Sequence, residues 1–415
     1  MPAAGERRAV VTGIGVVAPS GIGAPAHWRT VLAGECRIGR ISLFDPSRYA
    51  TTLAGEVPGF EVSDHVPSRL AVQTDRWSWM AFAAVTEAFA DAGLDPATLD
   101  PYSVAVSLAS SSGGNQFGQA ELQRLWSQPD RTVSAYQSIA WFYAASVGQV
   151  AIRHGLKGPS SVLVSESAGG LDSLAHAARS IRRGASVVLA GGTEGPLSPY
   201  ALACQQRNGW LSTGTDPERA YLPFDAAASG YVPGEGGAVL LVEELGHARS
   251  RGAAVYGEIT GWAATHDGQA TRPRRDPPAG HYRRALEQAL QRAGVAPQAI
   301  GMVAPDALGM PGYDAAEAAA LRQVFGADAP VTTFKPLIGR LYQGGSALDA
   351  ATALLAMRHG TVPATAGPAR PAQGCPVGFV RAHRHRQLDA ALIGARGFDG
   401  YNSALVLQRY VEEAA

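Results

Sequence analysis

Cysteine is scarce in this 415-residue chain: Cys36, Cys204 and Cys375 lie far apart, with no Cys-x-x-Cys pair. That spacing excludes a disulfide framework and a thiolate metal cluster, and it fits a reducing compartment. Charge of one sign is also missing. Lys plus Arg total 35 and Asp plus Glu total 35, so the overall balance draws the chain neither to nucleic acid nor to an anionic membrane. No apolar run approaches the ~20 residues that cross a bilayer. The stretch 7–15 imitates a short signal peptide, but Gly13 and Gly15 interrupt it and a buried first strand is expected. Charged residues are only 17% against 46% hydrophobic, a composition that predicts large surfaces taken out of water, some of them between subunits.

What is present is rhythm. Short β-branched runs bounded by glycine alternate with longer helical patterns, which predicts an α/β fold with parallel or mixed sheets covered by helices. Trp77, Met80, Ala84, Val85, Ala88 and Ala92 recur at helical spacing and stop at Gly93, a residue suited to the left-handed position after a helix. Ala88-Phe89-Ala90-Asp91-Ala92-Gly93-Leu94-Asp95-Pro96 returns about two hundred residues later as Ala289-Leu290-Gln291-Arg292-Ala293-Gly294-Val295-Ala296-Pro297. The order of elements returns too: 10–17 matches 255–262, 103–108 matches 300–304, 161–164 matches 331–334, and 236–242 matches 402–407. The chain therefore reads as two related halves, 1–250 and 251–415, too long a period for a solenoid. Functional groups are expected on loops between the halves, at strand ends. Proline-rich stretches at 272–278 and 363–371 read as exposed loops.

The most informative turn is Ser165-Glu166-Ser167-Ala168-Gly169-Gly170, between a strand over 161–164 and a helix predicted over 171–183. Backbone N–H groups at a helix start favour negative charge, so Ser167 is a candidate nucleophile. Ser165 and Ser167 read more simply as helix caps, and no histidine stands in an obvious position to serve as base. His383 and His385, among Arg381, Arg384 and Arg386, read as a solvated basic stretch rather than a metal site. The glycines of 230–237 lead into a strand, without the lysine and hydroxyl of a phosphate cradle, and predict tight backbone packing. A second glycine-rich loop, 339–345, precedes a helix predicted from near Ala347, and its Arg340 must be either paired or exposed.

Gly158-Pro159-Ser160 with its strand, Phe224-Asp225 with Gly234-Glu235-Gly236, and the spacing of Asp306, Asp314 and Glu317 resemble the β-ketoacyl synthases of the thiolase superfamily over essentially the whole chain. The resemblance implies a thiolase-like body of two duplicated βαβαβαββ halves in five layers, α-β-α-β-α. In that family a cysteine and two histidines carry out decarboxylative condensation. The cysteine position falls on Ser167, the first histidine on Asp306, and the second on Arg340, five residues after the matching lysine Lys335. Glu317 matches the family glutamate. With all three catalytic positions replaced, and with Gly339-Arg340-Leu341-Tyr342, the chain resembles the chain-length factors, or ketosynthase β subunits, of bacterial type II polyketide synthases. These usually carry glutamine where Ser167 stands.

The resemblance implies a non-condensing subunit that pairs with a ketosynthase α subunit in the cytoplasm and shapes the tunnel holding the polyketide chain. That chain would arrive on the phosphopantetheine of an acyl carrier protein, with no cofactor or metal in this subunit. Condensation needs a thiolate, and a serine hydroxyl is far too basic to ionise unaided. An ionised Asp306 would repel the developing enolate that imidazole stabilises, so an Asp306–Arg340 ion pair plugging the site is expected instead. Asn115, Gly118 and Leu122 correspond to the family's chain-length gate, and their three- and four-residue spacing puts them on one helical face. The aromatic run 137–143 resembles the family's interface. An independent acyltransferase or hydrolase, or a malonyl decarboxylase, using Ser167 is the alternative.

Overall fold

The computed structural model describes residues 7–268, 279–375 and 377–412, so the proline-rich stretch 272–278 lies outside the described residues. Strands Ala9–Ala18 (β1), Val104–Ala109 (β2), Ser160–Leu163 (β3), Val187–Glu194 (β4) and Gly236–Glu244 (β5) come first along the chain. Gly257–His266 (β6), Met302–Ala304 (β7), Ala390–Arg396 (β8) and Tyr401–Gln408 (β9) follow. In space the order is β3-β2-β4-β5-β1 and then β6-β9-β8-β7, joined where Val10 pairs with Glu258 and Val11 with Gly257. So narrow a joint leaves two sheets free to diverge and face one another.

Strand directions repeat between the two. β5 runs antiparallel to β1 and β4, and β2 runs parallel to β4 and β3. Likewise β9 is antiparallel to β6 and β8, and β7 is parallel to β8 and, through Val303, to Val331. Contacts repeat as well. A Cβ on Gly13 would stand 2.2 Å from the Ala88 carbonyl and 2.9 Å from the Ala92 methyl; one on Gly261 would stand 2.2 Å from the Ala289 carbonyl and 2.7 Å from the Ala293 methyl. In both halves a strand glycine admits the backbone of the outer helix.

The helices divide into three layers. Arg76–Ala92 (α1) and Ala145–His154 (α3) cover the outer face of the first sheet. The helix bearing the expected gate positions, Asn115–Ser127 (α2), lies at one end of that sheet. Gly169–Arg182 (α4) and Tyr342–His359 (α8) lie between the sheets, with Pro199–Gln206 (α5) near their N-terminal ends. Gly280–Ala293 (α6) and Pro311–Phe325 (α7) cover the second sheet from outside. The result is the five-layered α-β-α-β-α body that the resemblance implied. Strand alternation explains it: Val104, Val106, Val187 and Leu189 point to the outer layer, whereas Ala105, Val188 and Ala190 point to the central one. α8 is buried on every side from Gln343 to Met357, as a helix between two sheets must be. It starts at Tyr342, five residues before the predicted start at Ala347, because Gly344 sits in its first turn against β5. A Cβ there would stand 2.1 Å from the Gly236 carbonyl.

Candidate functional site

The turn after β3 places Ser167 in a short 3-10 segment, 3% exposed, just before α4. Neither serine caps the helix, contrary to the capping reading: the N-cap residue is Ala168, without a side-chain bond. Ser167 Oγ donates to Glu166 Oε1 at 2.9 Å, and Glu166 Oε2 accepts the Phe398 N–H at 2.9 Å. Ser165 donates instead to Asp172, which also accepts from Ser403 on β9. Hydroxyl–carboxylate bonds thus lock this turn to the second half of the molecule.

Asp306 follows β7 and meets Arg340 in a two-pronged ion pair, Nη1 to Oδ2 and Nη2 to Oδ1 both at 3.1 Å. Each residue is 4% exposed. Burial alone would pull the guanidinium down, but the Asp306 charge outweighs it and holds Arg340 well above its ordinary value. The remaining lone pairs and protons are used: Asp306 Oδ1 accepts the Arg396 N–H at 3.0 Å, and Arg340 Nη2 donates to the Arg396 carbonyl at 3.0 Å. A buried pair held by these further bonds is a plug.

The family spacing of Asp306, Asp314 and Glu317 has a physical cause here. Asp314 and Glu317 stand one turn apart on α7. Glu317 accepts the Asp306 and Ala307 N–H groups, both at 2.8 Å, and the Tyr282 hydroxyl at 2.8 Å. Asp314 accepts the Phe224 N–H at 2.8 Å and the Gly309 N–H at 3.0 Å. Burial pushes Glu317 up, the Asp306 charge adds to it, and burial lifts Asp314 to about 8. Lys335 donates to Asp349 at 2.6 Å and to the Pro305 carbonyl at 2.8 Å. Lys335 and Glu317 therefore clamp the loop that carries Asp306.

A cavity of about 350 Å³ opens beside this cluster, lined among others by Glu166, Arg340, Tyr231, Tyr342, Trp210 and Phe398. Of the five catalytic-position residues only Arg340 lines it. A second cavity, of about 340 Å³, is lined by Asn115, Gly118, Gln119, Leu122, Gln137, Trp141 and Tyr200. All three residues expected to form the gate thus line one space. Asn115 and Tyr200 line both cavities, and Gln119 accepts the Tyr200 N–H at 2.8 Å, tying α2 to α5. The sequence reading missed Tyr200, Glu166 and Cys204 as lining residues. The available signal was Ser198-Pro199 just after β4, a cap and first-turn pair that puts Tyr200 at a strand end. Beyond the second cavity, Tyr136, Trp141, Phe142 and Trp126 are exposed, an apolar concentration unlike an ordinary soluble face.

Among the described residues no helix is long and apolar enough to cross a membrane. The family model for the beta-ketoacyl synthase N-terminal domain matches residues 6–248, and that for the C-terminal domain matches residues 256–368. The chain is 50% identical to the tetracenomycin polyketide synthase ketoacyl synthase beta subunit of Streptomyces glaucescens over 406 residues, 97% of this chain and 98% of that protein. The ishigamide ketosynthase/chain length factor superposes with a TM-score of 0.90 at 26% identity, covering 98% of this chain and all of that one. A type II polyketide synthase acyl-carrier protein in complex with its ketosynthase bound to the hexaketide contains a chain of the same fold, with a TM-score of 0.87 at 24% identity over 98% of this chain and 100% of that one. With both domain models in sequence and a ketosynthase beta subunit alike over nearly its full length, the chain belongs to the beta-ketoacyl synthase family, in the branch of the ketosynthase beta subunits.

Proposed function

We propose that this chain is the non-condensing, chain-length-determining subunit of a type II polyketide ketosynthase heterodimer. The observation that carries the reading is a combination. A buried Asp306–Arg340 pair fills the corner where condensing relatives are expected to hold two histidines, while Asn115, Gly118 and Leu122 face a cavity that adjoins it. The halves 1–250 and 251–415 supply the two walls of that corner, Ser167 from one and Asp306 with Arg340 from the other. The ketosynthase α subunit would supply the cysteine and histidines and pack on the aromatic surface around residues 136–143. The growing chain, delivered on the phosphopantetheine of an acyl carrier protein in the cytoplasm, would extend along α2 until the residues at its N-terminal end stop it. No cofactor of this subunit takes part.

The alternative use of Ser167 for acyl transfer, hydrolysis or malonyl decarboxylation draws no support from the geometry. Its hydroxyl is bonded to Glu166, Asp306 is committed to Arg340, and Ser167 does not line the cavity. The test is reconstitution with the cognate α subunit, acyl carrier protein and malonyl thioester. Alone the chain should consume no malonyl thioester, and together the two should make a product of defined length. Elongation or decarboxylation by the isolated chain, abolished by Ser167→Ala, would overturn the reading.

A further inference from the structure

α2 lacks its own cap. Its N-cap residue is Gly114, which has no side chain, yet the first N–H groups of a helix need acceptors. The acceptor comes from another helix. Asp75 occupies the N-cap position of α1, makes no capping bond to α1, and accepts the Phe117 N–H of α2 through Oδ2 at 2.6 Å. The loop leading into α2 is held by a second carboxylate, Glu194 at the end of β4, which accepts the Ser111 N–H at 2.7 Å, the Ser111 hydroxyl at 3.3 Å and the Ser112 hydroxyl. Asp75 is 2% and Glu194 1% exposed. Among the described residues neither forms an ion pair: Arg76, next to Asp75, forks onto Glu235 at 2.7 and 2.6 Å. Between these anchors, Gly113 and Gly114 press on the backbone of Ala140 and Trp141, where a Cβ would stand 2.3 Å from the Trp141 carbonyl or 2.0 Å from that of Ala140. The Trp141 side chain lines the gate cavity opposite Gly118.

Buried carboxylates held by hydrogen bonds but no ion pair are expensive, and apolar packing would give a more stable loop. What they provide is position. We propose that Asp75 and Glu194 are positioning residues for chain length: they fix the first turn of α2, and through it Asn115 at the junction of the two cavities and Gly118 with Trp141 along the second. The inference rests on the gate reading given above and names residues outside the gate itself. Neither residue lines either cavity, so each acts only through the turn it holds.

The experiment measures the product-length distribution of the reconstituted heterodimer, normalised to assembled complex, for Asp75→Ala, Asp75→Asn, Glu194→Ala and Gly118→Trp. Leu286→Ala, in the outer layer of the second half, serves as a destabilising control. The alanine variants should broaden or shift the distribution, and Asp75→Asn, which keeps an acceptor oxygen, should restore the parent length. Leu286→Ala should lower complex yield without moving length. In the isolated chain, loss of the cap should speed hydrogen exchange at the Phe117 amide by roughly 5- to 30-fold. That readout and Glu194→Ala keep the test decisive where Asp75→Ala fails to assemble. A parent distribution in Glu194→Ala and Asp75→Ala, alongside a shifted one in Gly118→Trp, overturns the positioning role and leaves the gate standing. No shift in Gly118→Trp overturns the gate reading itself.

Discussion

Gly118→Trp is the most direct perturbation of the proposed gate, and the structure says why the protein should tolerate it. A Cβ at position 118 would stand 3.1 Å from Trp141 Cδ1 and 3.6 Å from Gln137 Nε2, both parts of side chains rather than backbone. Trp141 is 52% exposed in this chain. Replacing an interior helix glycine with tryptophan also gains about 0.5 kcal/mol of helix propensity. An indole there would project into the cavity of about 340 Å³ and take up space open to a chain. The assay is mass spectrometry of products from the reconstituted heterodimer, with Gly118→Ala and Gly118→Leu as graded intermediates. Products should shorten in order of side-chain size, with product per complex staying within a few-fold, because no reacting group lies on α2. An unchanged length profile in an assembled Gly118→Trp complex would show that the chain does not run past this helix.

Other outcomes follow from the same geometry. Asn115→Ala should lengthen products by widening the junction of the two cavities, read by the same mass analysis. Arg340→Met leaves Asp306 buried without its partner and should cost about 3–5 kcal/mol, seen as a lowered Tm, with Asp306→Asn in the same chain recovering part of it; a loss below about 1 kcal/mol would mean the pair is not a plug. Burial raises Asp75 to about 6 and Glu194 to about 7. A raised carboxyl favours the folded state fully below its ordinary value, and that contribution is lost as pH rises through the folded value, so stability from these two should fall from about pH 4 to 7. For Glu194 the effect is on the order of 3 kcal/mol, and Glu194→Gln should gain Tm relative to the parent between pH 5 and pH 8; a constant difference would contradict it. Phe142→Asp should leave the isolated fold intact and abolish association with the α subunit in size-exclusion chromatography.

The fold was legible because duplication writes it twice. Gly93 and Gly294 each end an outer helix in the left-handed conformation, at φ 59° and 65°, and each follows the alanines on which a strand glycine rests. Those constraints are local, and local constraints survive in sequence. Arg340 was legible in a weaker sense: a buried guanidinium needs a carboxylate, and Asp306 was the residue the family pattern offered. The capping reading of Ser165 and Ser167 failed for a different reason. Their hydroxyls are taken by Glu166 and Asp172, and those carboxylates are themselves claimed by Phe398 and Ser403. A short-range preference lost to partners more than two hundred residues away. Gly344 misled in the same manner, since it reads as loop until β5 is seen to demand a helix with no side chain there.

The same contrast governs the gate. Asn115, Gly118 and Leu122 share a helical face by spacing alone, so the sequence suffices to group them. What holds that face in place does not: Asp75 is 42 residues from Phe117, and Glu194 is 83 from Ser111. Two acidic residues beside a strand end and a helix start read as solvated caps, because charge is almost always found in water. Their burial becomes intelligible only once α2 is seen to begin at a glycine that cannot cap it, packed too tightly against Ala140 to be anything else. Close packing at Gly114 therefore calls for a borrowed acceptor, and Asp75 supplies it from another helix. Chain-length specificity in this subunit would then depend on residues that the polyketide never meets.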